Sequence, residues 1–531
     1  MKKNTPIRLL ALVLALAMLL CGCAASGKQD TASPDAPTGQ KTNGSAAASE
    51  LASKYTYTAK YFNAPSAAQY VSASCMADGA LYLAASQNGE MRTYTDEASG
   101  ESYQYNETGY QVYKMDLATG ESTPIGALIT DPREADAEGW TNSQSLFDLQ
   151  PGKDGSLWLF LNVNRSRYEL PESFDPETDQ RYNYYVDGGN VIRAVQYAAD
   201  GSIRQDLTLD PGETARPQAG DYVSFYPQRV LLTSDGSFAA TSDRYAYLWS
   251  ADGTLTAALD NESYADLKRL NADTIGVTSY TGDSMRFQAL DTASKSWGET
   301  ITLPDSAWNL LPGNSQYDFF YNNGTALYGY KTDSGKEEKL VDWLACEVNS
   351  DSLNGVYVDD SGKVCAILRD STGSYGYYIG GMSVSTVTND APGSPGASAS
   401  GWQVAVLTPT DAAAVTEKQE LTLACLYLPS TLRAQVLAFN RASDKYRIVV
   451  RDYSEYNTDE DYTAGLTKLN TEILSGNVPD MICTNQLPVA QYAAKGVLEE
   501  LWQYIDADPE LSRDQLLTQP LEAMQTGDGL Y

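Results

Sequence analysis

Histidine is missing from this sequence. A Ser-His-Asp triad, a Cys-His pair and an HExxH metal helix all need an imidazole, so these catalytic and metal sites are excluded. Any enzyme built on the chain would have to use carboxylates, Lys or Tyr, as in glycoside hydrolysis by two carboxylates. Among 69 Asp and Glu residues, spacing alone marks out no such pair. We therefore predict that the protein is not an enzyme and uses no cofactor or metal.

Basic residues are scarce. The 37 Lys and Arg residues against 69 Asp and Glu residues give a formal charge of −32 at pH 7. Nucleic acid phosphates and anionic lipid headgroups repel such a chain, so we expect no nucleic acid partner and no electrostatic attachment to a membrane. Because the chain is 42% hydrophobic and its charges are scattered, the acidity indicates the surface of folded domains and not a disordered tail.

The apolar run nearest the N-terminus, Leu9–Leu20, is too short for a membrane span. It follows a basic start and has roughly 12 residues, whereas a ~30 Å hydrocarbon core needs about 20. This length is typical of the apolar region of a signal peptide. We expect the protein to be exported.

The run ends in Leu20-Cys21-Gly22-Cys23, which resembles a lipobox. Signal peptidase needs a small residue before the modified cysteine, so Gly22 selects Cys23, while Cys21 follows the bulky Leu20. The resemblance implies a lipoprotein signal peptide over residues 1–22 and a lipid on Cys23 that holds the protein on the extracytoplasmic face of the cell membrane. An ordinary cleaved secretory signal is the alternative.

Residues 24–53 are almost entirely small and polar, with Leu51 as their one large apolar residue. A coil of this length has a root-mean-square reach of about 30 Å. We interpret residues 23–53 as the lipid anchor and a flexible tether.

Short strands and tight turns characterise residues 54–412. Asp-Gly or Asn-Gly between apolar strands is a strong hairpin signal, because both turn residues favour φ > 0. A second polar turn often follows, and two hairpins per unit make a four-stranded propeller blade. We predict an all-β propeller of about six blades, or seven if residues 54–71 add strands; a β-sandwich or two stacked β domains is the alternative. This pattern of short strands and tight turns resembles that of bacterial propellers of the WD40, YVTN and NHL sort. The turns are Asp78-Gly79, Asp154-Gly155, Asp235-Gly236, Asn323-Gly324 and Asp360-Ser361-Gly362.

Five cysteines follow Cys23, widely spaced and mostly in apolar surroundings. Cysteine in such a setting behaves as a small buried hydrophobe. We expect thiols in the core, with a disulfide as the alternative. The residues are Cys75, Cys346, Cys365, Cys425 and Cys483.

The hydrophobic period changes near Glu420. A buried-strand run, Leu421–Leu428, precedes a helical stripe of Leu432, Val436 and Phe439, and further strands are predicted at 446–453 and 478–483. A second stripe of Tyr462, Leu466, Leu469 and Ile473 ends at Gly476 as a C′ residue. Strands that alternate with helices predict a parallel α/β sheet.

Several segments of this region resemble the extracellular solute-binding proteins of family 1, the ABC-transporter proteins that mostly carry sugars. The resemblance implies a partial N-terminal lobe over residues 419–531. Because the family needs two lobes, we expect an incomplete chain, with a degenerate domain as the alternative. The segments are Phe439-Asn440, Leu474–Asp480 with its Ser-Gly-x-x-Pro-Asp pattern, Tyr492–Leu498 and Leu501–Asp506.

The resemblance implies a membrane-anchored solute-binding lipoprotein of an ABC importer, with a permease as partner and a small molecule or oligosaccharide as ligand. Ligands of α/β sheets bind beyond the carboxyl ends of strands, which places Tyr427, Ser430, Tyr453 and Asn485 as candidate ligand-binding residues. Loop chemistry or helix capping is the alternative for each, above all for Ser430 as an N-cap. One wall of a cleft alone should bind a sugar too weakly for calorimetry.

The alternative function is that of a non-transporting surface lipoprotein whose propeller binds a polymer or a protein. The chain has 37 Tyr against 10 Phe and 8 Trp. Clusters such as Tyr182, Tyr184 and Tyr185 would suit an aromatic platform, although Tyr is also a common strand residue.

The lipobox predicts that a Cys23→Ala variant leaves the membrane fraction and loses palmitate labelling, because only Cys23 follows a small residue. Cell fractionation with labelled palmitate measures both effects, and Cys21→Ala serves as the control that keeps them. Equal labelling and retention of Cys23→Ala would contradict lipidation at this position.

Overall fold

The computed structural model describes residues 56–95, 102–131, 139–175, 178–212, 225–261, 265–281, 284–369, 375–379, 382–386, 401–410, 418–458, 460–484, 487–509, 511–516 and 518–531. Cys23 and the leader and tether predicted for residues 1–53 lie outside these ranges. The chain forms two compact units. One contains Ser53–Asp342 and Ser352–Thr410, and the other contains Trp343–Asp351 and Asp411–Tyr531.

The first unit is a β-propeller of six four-stranded antiparallel blades, as predicted. Its first strand, β1 (Thr56–Asn63), belongs to the last blade. Blade 1 is β2 (Tyr70–Ala77), β3 (Ala80–Thr95), β4 (Ser102–Met115) and β5 (Ser122–Asp131). Blade 2 is β6 (Thr141–Pro151), β7 (Leu157–Tyr168), β8 (Tyr185–Tyr197) and β9 (Ile203–Leu209). Blade 3 is β10 (Val230–Leu232), β11 (Phe238–Ser242), β12 (Tyr245–Trp249) and β13 (Leu255–Asp260).

The remaining blades follow the same order. Blade 4 is β14 (Leu267–Arg269), β15 (Ile275–Thr281), β16 (Ser284–Asp291) and β17 (Ser296–Thr302). Blade 5 is β18 (Asn309–Pro312), β19 (Phe319–Asn322), β20 (Ala326–Lys331) and β21 (Lys336–Asp342). Blade 6 contains β22 (Leu353–Val358) and β23 (Val364–Arg369), then, after a separate hairpin of β24 (Tyr375–Ile379) and β25 (Met382–Thr386), β26 (Trp402–Thr410) and β1.

The residues near the start of the described chain complete the sixth blade and add no seventh one. Strand β1 pairs antiparallel with β26, from Thr56 opposite Thr410 to Asn63 opposite Gln403. The first strands of neighbouring blades contact each other, β2 with β6, β6 with β10, β10 with β14 and β22 with β2, so they form the inner ring. A closed ring hides strand edges that would otherwise pair with other chains.

The predicted Gly residues of the hairpin turns all have positive φ, from 73° at Gly79 to 90° at Gly324. The expectation that the preceding Asp or Asn also has positive φ holds only at Asp78, with φ of 48°. At Asp154, Asp235 and Asn323 the side chain accepts a hydrogen bond from a backbone N–H two residues later. Asp235 Oδ1, for example, accepts from Ser237 N at 3.1 Å. This Asx-turn stabilises the hairpin without a left-handed aspartate.

Large aromatic side chains fill the space between neighbouring blades. Between blades 2 and 3, Trp158 and Phe238 meet edge to face, with ring centroids 5.0 Å apart. Trp249 and Tyr247 join the same cluster and are fully buried. Such side chains bury a large area in few residues, which explains how short strands of three to five residues still hold a blade in place.

The second unit contains a parallel sheet in the order β28-β27-β29, as the alternation of strands and helices predicted. No helix among the described residues is long and apolar enough to cross a membrane. The elements are β27 (Gln419–Cys425), α1 (Ser430–Ala442), β28 (Tyr446–Asp452), α2 (Ala464–Leu474), β29 (Met481–Ile482), α3 (Val489–Ala494), α4 (Trp502–Ala507) and α5 (Thr518–Ala523).

The helical stripes predicted for this unit are confirmed in part. Leu432, Val436 and Phe439 of α1 are buried as expected. Gly476, with φ of 90°, follows the end of α2, and Asn477 N donates to Glu472 O at 2.9 Å, a bond that closes the helix end. The prediction for Tyr462 is wrong, because this residue precedes α2 and is 74% exposed.

Asn440 joins α1 to β28. Its side chain is buried, with Nδ2 donating to Ile448 O at 2.9 Å and Oδ1 accepting from Ile448 N at 2.7 Å. Both backbone groups of Ile448 are thereby satisfied at a position where no further strand is paired in the described sheet. The amide therefore takes the place of a neighbouring strand.

We expect Asn440→Ala to lower the stability of this unit by about 2–3 kcal/mol, because it leaves two buried backbone groups unsatisfied. Hydrogen exchange should accelerate roughly 30- to 100-fold in peptides covering β27 and β28. Gln435→Ala on the same helix is the control and should leave exchange nearly unchanged. An unaltered exchange rate in Asn440→Ala would show that the hydrogen bonds of the Asn440 side chain contribute little to the stability of this unit.

Candidate functional sites

Three of the four candidate ligand-binding residues, Tyr427, Ser430 and Tyr453, follow strands at the carboxyl edge of the parallel sheet. Tyr427 follows β27 and is 65% exposed. Ser430 is exposed and is the first residue of α1, whose N-cap is Pro429. The expectation of Ser430 as N-cap is therefore wrong. No side chain caps this helix, so its first N–H groups can donate to a ligand oxygen or to water.

Tyr453 also follows a strand of this edge, but its side chain is only 3% exposed. It packs with Ala424 and Leu469, and its hydroxyl donates to Glu472 Oε2 at 2.6 Å. Burial, reinforced by the Glu472 carboxylate, raises the pKa of Tyr453 to about 12. The ring supports the core and offers no stacking surface. Asn485 lies outside the described residues.

A segment that sequence reasoning missed holds α1 near both of its ends. Residues Trp343–Asp351 come between β21 and β22 in the chain, yet they belong to the unit with the parallel sheet. Arg433 Nη1 donates to Ser350 Oγ at 2.7 Å, and Arg441 Nε donates to Glu347 O at 3.1 Å. No periodicity or turn signal in the sequence distinguishes this segment from an ordinary propeller loop.

The buried cysteines have a structural role in the hydrophobic cores. Burial raises the pKa of Cys75, Cys365 and Cys425. Cys425 Sγ donates to Arg451 O at 3.8 Å, so this residue is a thiol as expected. Since a nucleophilic cysteine needs a lowered pKa, these three are poor candidates for covalent chemistry.

The inner strands of the propeller bring charged residues together around its axis. Asp148 on β6, Arg229 before β10 and Lys268 on β14 interact electrostatically, and Tyr357 on β22 lies within range of the first two. The Tyr357 hydroxyl donates to Ser74 O at 2.6 Å, which joins blade 6 to blade 1. The sequence gives no signal for this cluster, because its members are up to 209 positions apart, 357 minus 148.

Asp148 is fixed in this cluster by hydrogen bonds from two backbone N–H groups. One carboxylate oxygen accepts from Leu149 N at 2.9 Å and the other from Val230 N, also at 2.9 Å, so the residue links blades 2 and 3. Burial raises the pKa of Asp148, and this effect outweighs the opposite influence of Arg229 and of the donated hydrogen bonds. The geometry assigns Asp148 a role in joining blades.

A groove of about 570 Å³ opens at the end of the propeller that carries the Asp-Gly turns, and its lining comes from blades 2, 3 and 4. Some of the polar side chains that line the groove already donate hydrogen bonds to backbone carbonyls. Lys153 Nζ donates to Ser234 O at 2.6 Å, and Arg269 Nη1 donates to Ala272 O at 3.0 Å. Glutamine amides complete a surface suited to hydrogen bonds with a polar ligand. Residues that line it include Gln150, Lys153, Trp158, Gln196, Gln205 and Arg269.

In the described part of the chain, no group of three or more Cys, Asp or Glu side chains has the arrangement of a metal site.

Comparison with known proteins places the propeller among distant structural neighbours. No protein-family profile matches the chain, and no curated protein matches it. A protein of unknown function from Dyadobacter fermentans DSM 18053 shares 11% identity with a TM-score of 0.34, over 66% of this chain and 98% of its own. The Dos1 propeller shares 9% identity with a TM-score of 0.28, over 66% and 95%. A luciferin-regenerating enzyme shares 8% identity with a TM-score of 0.23, over 53% and 94%.

At these TM-scores the likenesses carry no argument about fold or function, and the propeller rests on the strand pairing. Since an enzyme stands among such neighbours, they do not confirm the expectation that this chain is not an enzyme, which stays a prediction.

The raised pKa of Asp148 predicts a pH dependence of stability. The folded state holds this proton more tightly than the unfolded state, so the stabilisation is complete below the ordinary carboxyl value of 3.8 and is lost as the pH rises through the raised value. Asp148→Asn cannot ionise. Its deficit in thermal stability relative to wild type should therefore be largest near about pH 4 and shrink toward about pH 7.

Asp116→Asn is a control whose stability deficit should change with pH in the opposite direction. The N–H groups of Thr119 and Ala118 donate to the exposed Asp116 and lower its pKa, so its stabilisation is lost as the pH falls. The stability deficit of Asp116→Asn should widen as the pH rises toward the ordinary carboxyl value of 3.8 and stay nearly constant well above it. Thermal unfolding at several pH values measures both variants. Parallel pH profiles for Asp148→Asn and wild type would show that Asp148 titrates normally.

Proposed function

We propose that this protein is an exported, lipid-anchored solute-binding protein whose α/β unit captures a hydroxyl-rich solute, carbohydrate above all, for an ABC permease. The observation that carries the proposal is the pairing of an exposed aromatic ring with an uncapped helix start at the carboxyl edge of the parallel sheet. Tyr427 is 65% exposed, and α1 begins three residues later without a side-chain cap.

This geometry suits a sugar for two reasons. The flat ring of Tyr427 can lie against the C–H face of a pyranose, which removes apolar area from water. The free N–H groups at the start of α1 can donate to sugar hydroxyls, and the helix dipole strengthens those bonds. The carboxyl edge of an α/β sheet is also where ligands commonly bind.

The charge of the chain supports an uncharged solute. With a formal charge of −32, the surface repels anionic ligands at long range. Anchoring through Cys23 would keep the protein beside a permease, which fits capture followed by delivery. A hydrogen bond on an exposed protein edge contributes about 1 kcal/mol net, so we expect weak affinity, in the millimolar range.

Saturation-transfer NMR with a panel of monosaccharides tests the proposal, because it detects millimolar contacts that calorimetry misses. We expect transfer to at least one sugar, and its loss in Tyr427→Ala. Tyr504→Ala is the matched control, since Tyr504 is 58% exposed in the same unit but lies on α4 and away from β27 in the chain.

The absence of transfer to every sugar would contradict the proposal. Transfer that survives in Tyr427→Ala would contradict the assignment of this edge as the site. Equal loss in Tyr504→Ala would point to nonspecific contact with exposed tyrosines, and would also count against it.

A further inference from the structure

The exposed aromatic side chains of the propeller are not distributed evenly. Six are exposed in the described part of this unit, from 42% at Tyr70 to 62% at Trp308. They are Tyr70, Tyr168, Tyr185, Tyr226, Tyr280 and Trp308. Since most of the other large aromatics of the blades are buried, these six need an explanation of their own.

The strand order places all six at one end of the propeller. Strands alternate in direction within a blade, so the turns between second and third strands share an end with the connections from one blade to the next. Tyr168 ends β7, Tyr185 begins β8 and Tyr280 lies near the end of β15. We call this the aromatic end.

The other three residues lie where one blade connects to the next. Tyr70 begins β2, Tyr226 precedes β10 and Trp308 precedes β18, and each of these is the first strand of its blade. Tyr226 N donates to Ser242 Oγ at 2.7 Å, and Ser242 ends the second strand of the same blade, which confirms that the two positions share an end.

The most exposed pair forms a ready-made platform. Tyr280 of blade 4 and Trp308 before blade 5 stack with ring centroids 5.7 Å apart and planes 20° apart. They are 53% and 62% exposed. Because the rings already hold each other in place, binding costs little side-chain entropy.

Two further clusters repeat this arrangement. Tyr168 and Tyr185 meet edge to face at 5.8 Å. Tyr70 meets Trp402 edge to face at 5.4 Å, and the Arg369 guanidinium lies over the Tyr70 ring, 4.8 Å from its centroid. Tyr70, Tyr168 and Tyr185 are thus each held by a neighbour while part of the ring faces solvent, whereas Trp402 is buried.

The opposite end of the propeller differs. It carries the Asp-Gly turns and the groove lined by Gln150, Lys153 and Arg269, and its large exposed apolar residue in the described chain is Ile203 at 49%. A soluble protein gains nothing in stability from exposed rings, so their concentration at one end marks a contact surface.

We propose that the aromatic end binds an uncharged polysaccharide, whose successive sugar rings stack on the Tyr280–Trp308 pair and on the neighbouring clusters. Separate rings around an end suit a chain of repeating sugars, whereas a protein partner would favour one contiguous apolar patch. The formal charge of −32 disfavours an anionic polymer. This site is distinct from the edge beside Tyr427, and it does not depend on solute binding there.

Affinity electrophoresis of the whole chain tests the inference, in gels that contain a neutral glucan, mannan or xylan. We expect at least one neutral polysaccharide to retard the wild-type protein. Trp308→Ala and Tyr280→Ala should each weaken the apparent affinity about 10-fold or more, the loss of one stacked ring. Ile203→Ala, at the opposite end, should migrate like wild type. Circular dichroism checks that each variant is folded.

Several outcomes would overturn the proposal. They are retardation by no neutral polysaccharide, retardation by an acidic polymer alone, and retardation that both aromatic substitutions leave unchanged. Tyr427→Ala separates this site from the proposed solute site, because it should abolish NMR transfer to small sugars and leave retardation unaltered. Loss of retardation in Tyr427→Ala, with retention in Trp308→Ala, would place polymer binding on the α/β unit instead.

Discussion

The pairing of β1 with β26 is the constraint on which the propeller depends. It joins Thr56 to Thr410 across the whole length of this unit. Tyr57 adds a side-chain contact, since its hydroxyl donates to Gly362 O at 3.2 Å, and Lys60 Nζ donates to Ala118 O at 2.6 Å, toward blade 1. Without this closure the apolar cluster between blades 6 and 1 would face water, so burial of that cluster and closure of the ring stabilise each other.

Closure also determines what the two ends of the propeller present. The inner strands converge, and Asp148, Arg229 and Lys268 meet although no local pattern relates them. At one end, side chains such as Lys153 donate to carbonyls of the next blade, which ties the blades together. At the other end, six aromatic side chains remain 42% to 62% exposed. One end therefore contributes rigidity, and the other carries the proposed polysaccharide site.

In the α/β unit, the residues that carry the resemblance to solute-binding proteins are structural. Asn440 satisfies both backbone groups of Ile448. Asp480 accepts from Thr422 N at 2.8 Å and from its hydroxyl at 2.9 Å, bonds that hold the approach to β29 against β27 and lower the pKa of Asp480. These motifs account for the parallel sheet itself. Transport rests on the separate geometry around Tyr427, and it remains a proposal.

Local chemistry determined much of this structure from the sequence. Glycines such as Gly79 and Gly236 adopt positive φ at almost no steric cost, so the hairpins could be located before any strand was paired, and the stripe of Leu432, Val436 and Phe439 identified α1. Only the tertiary structure decided the contacts between residues that are far apart in the sequence. It paired β1 with β26 and placed Trp343–Asp351 in the α/β unit. It also buried Tyr453 and left Tyr427 exposed. Tyrosine has the same intrinsic chemistry at every position, so its role as core or as contact surface depends on what the fold packs against it.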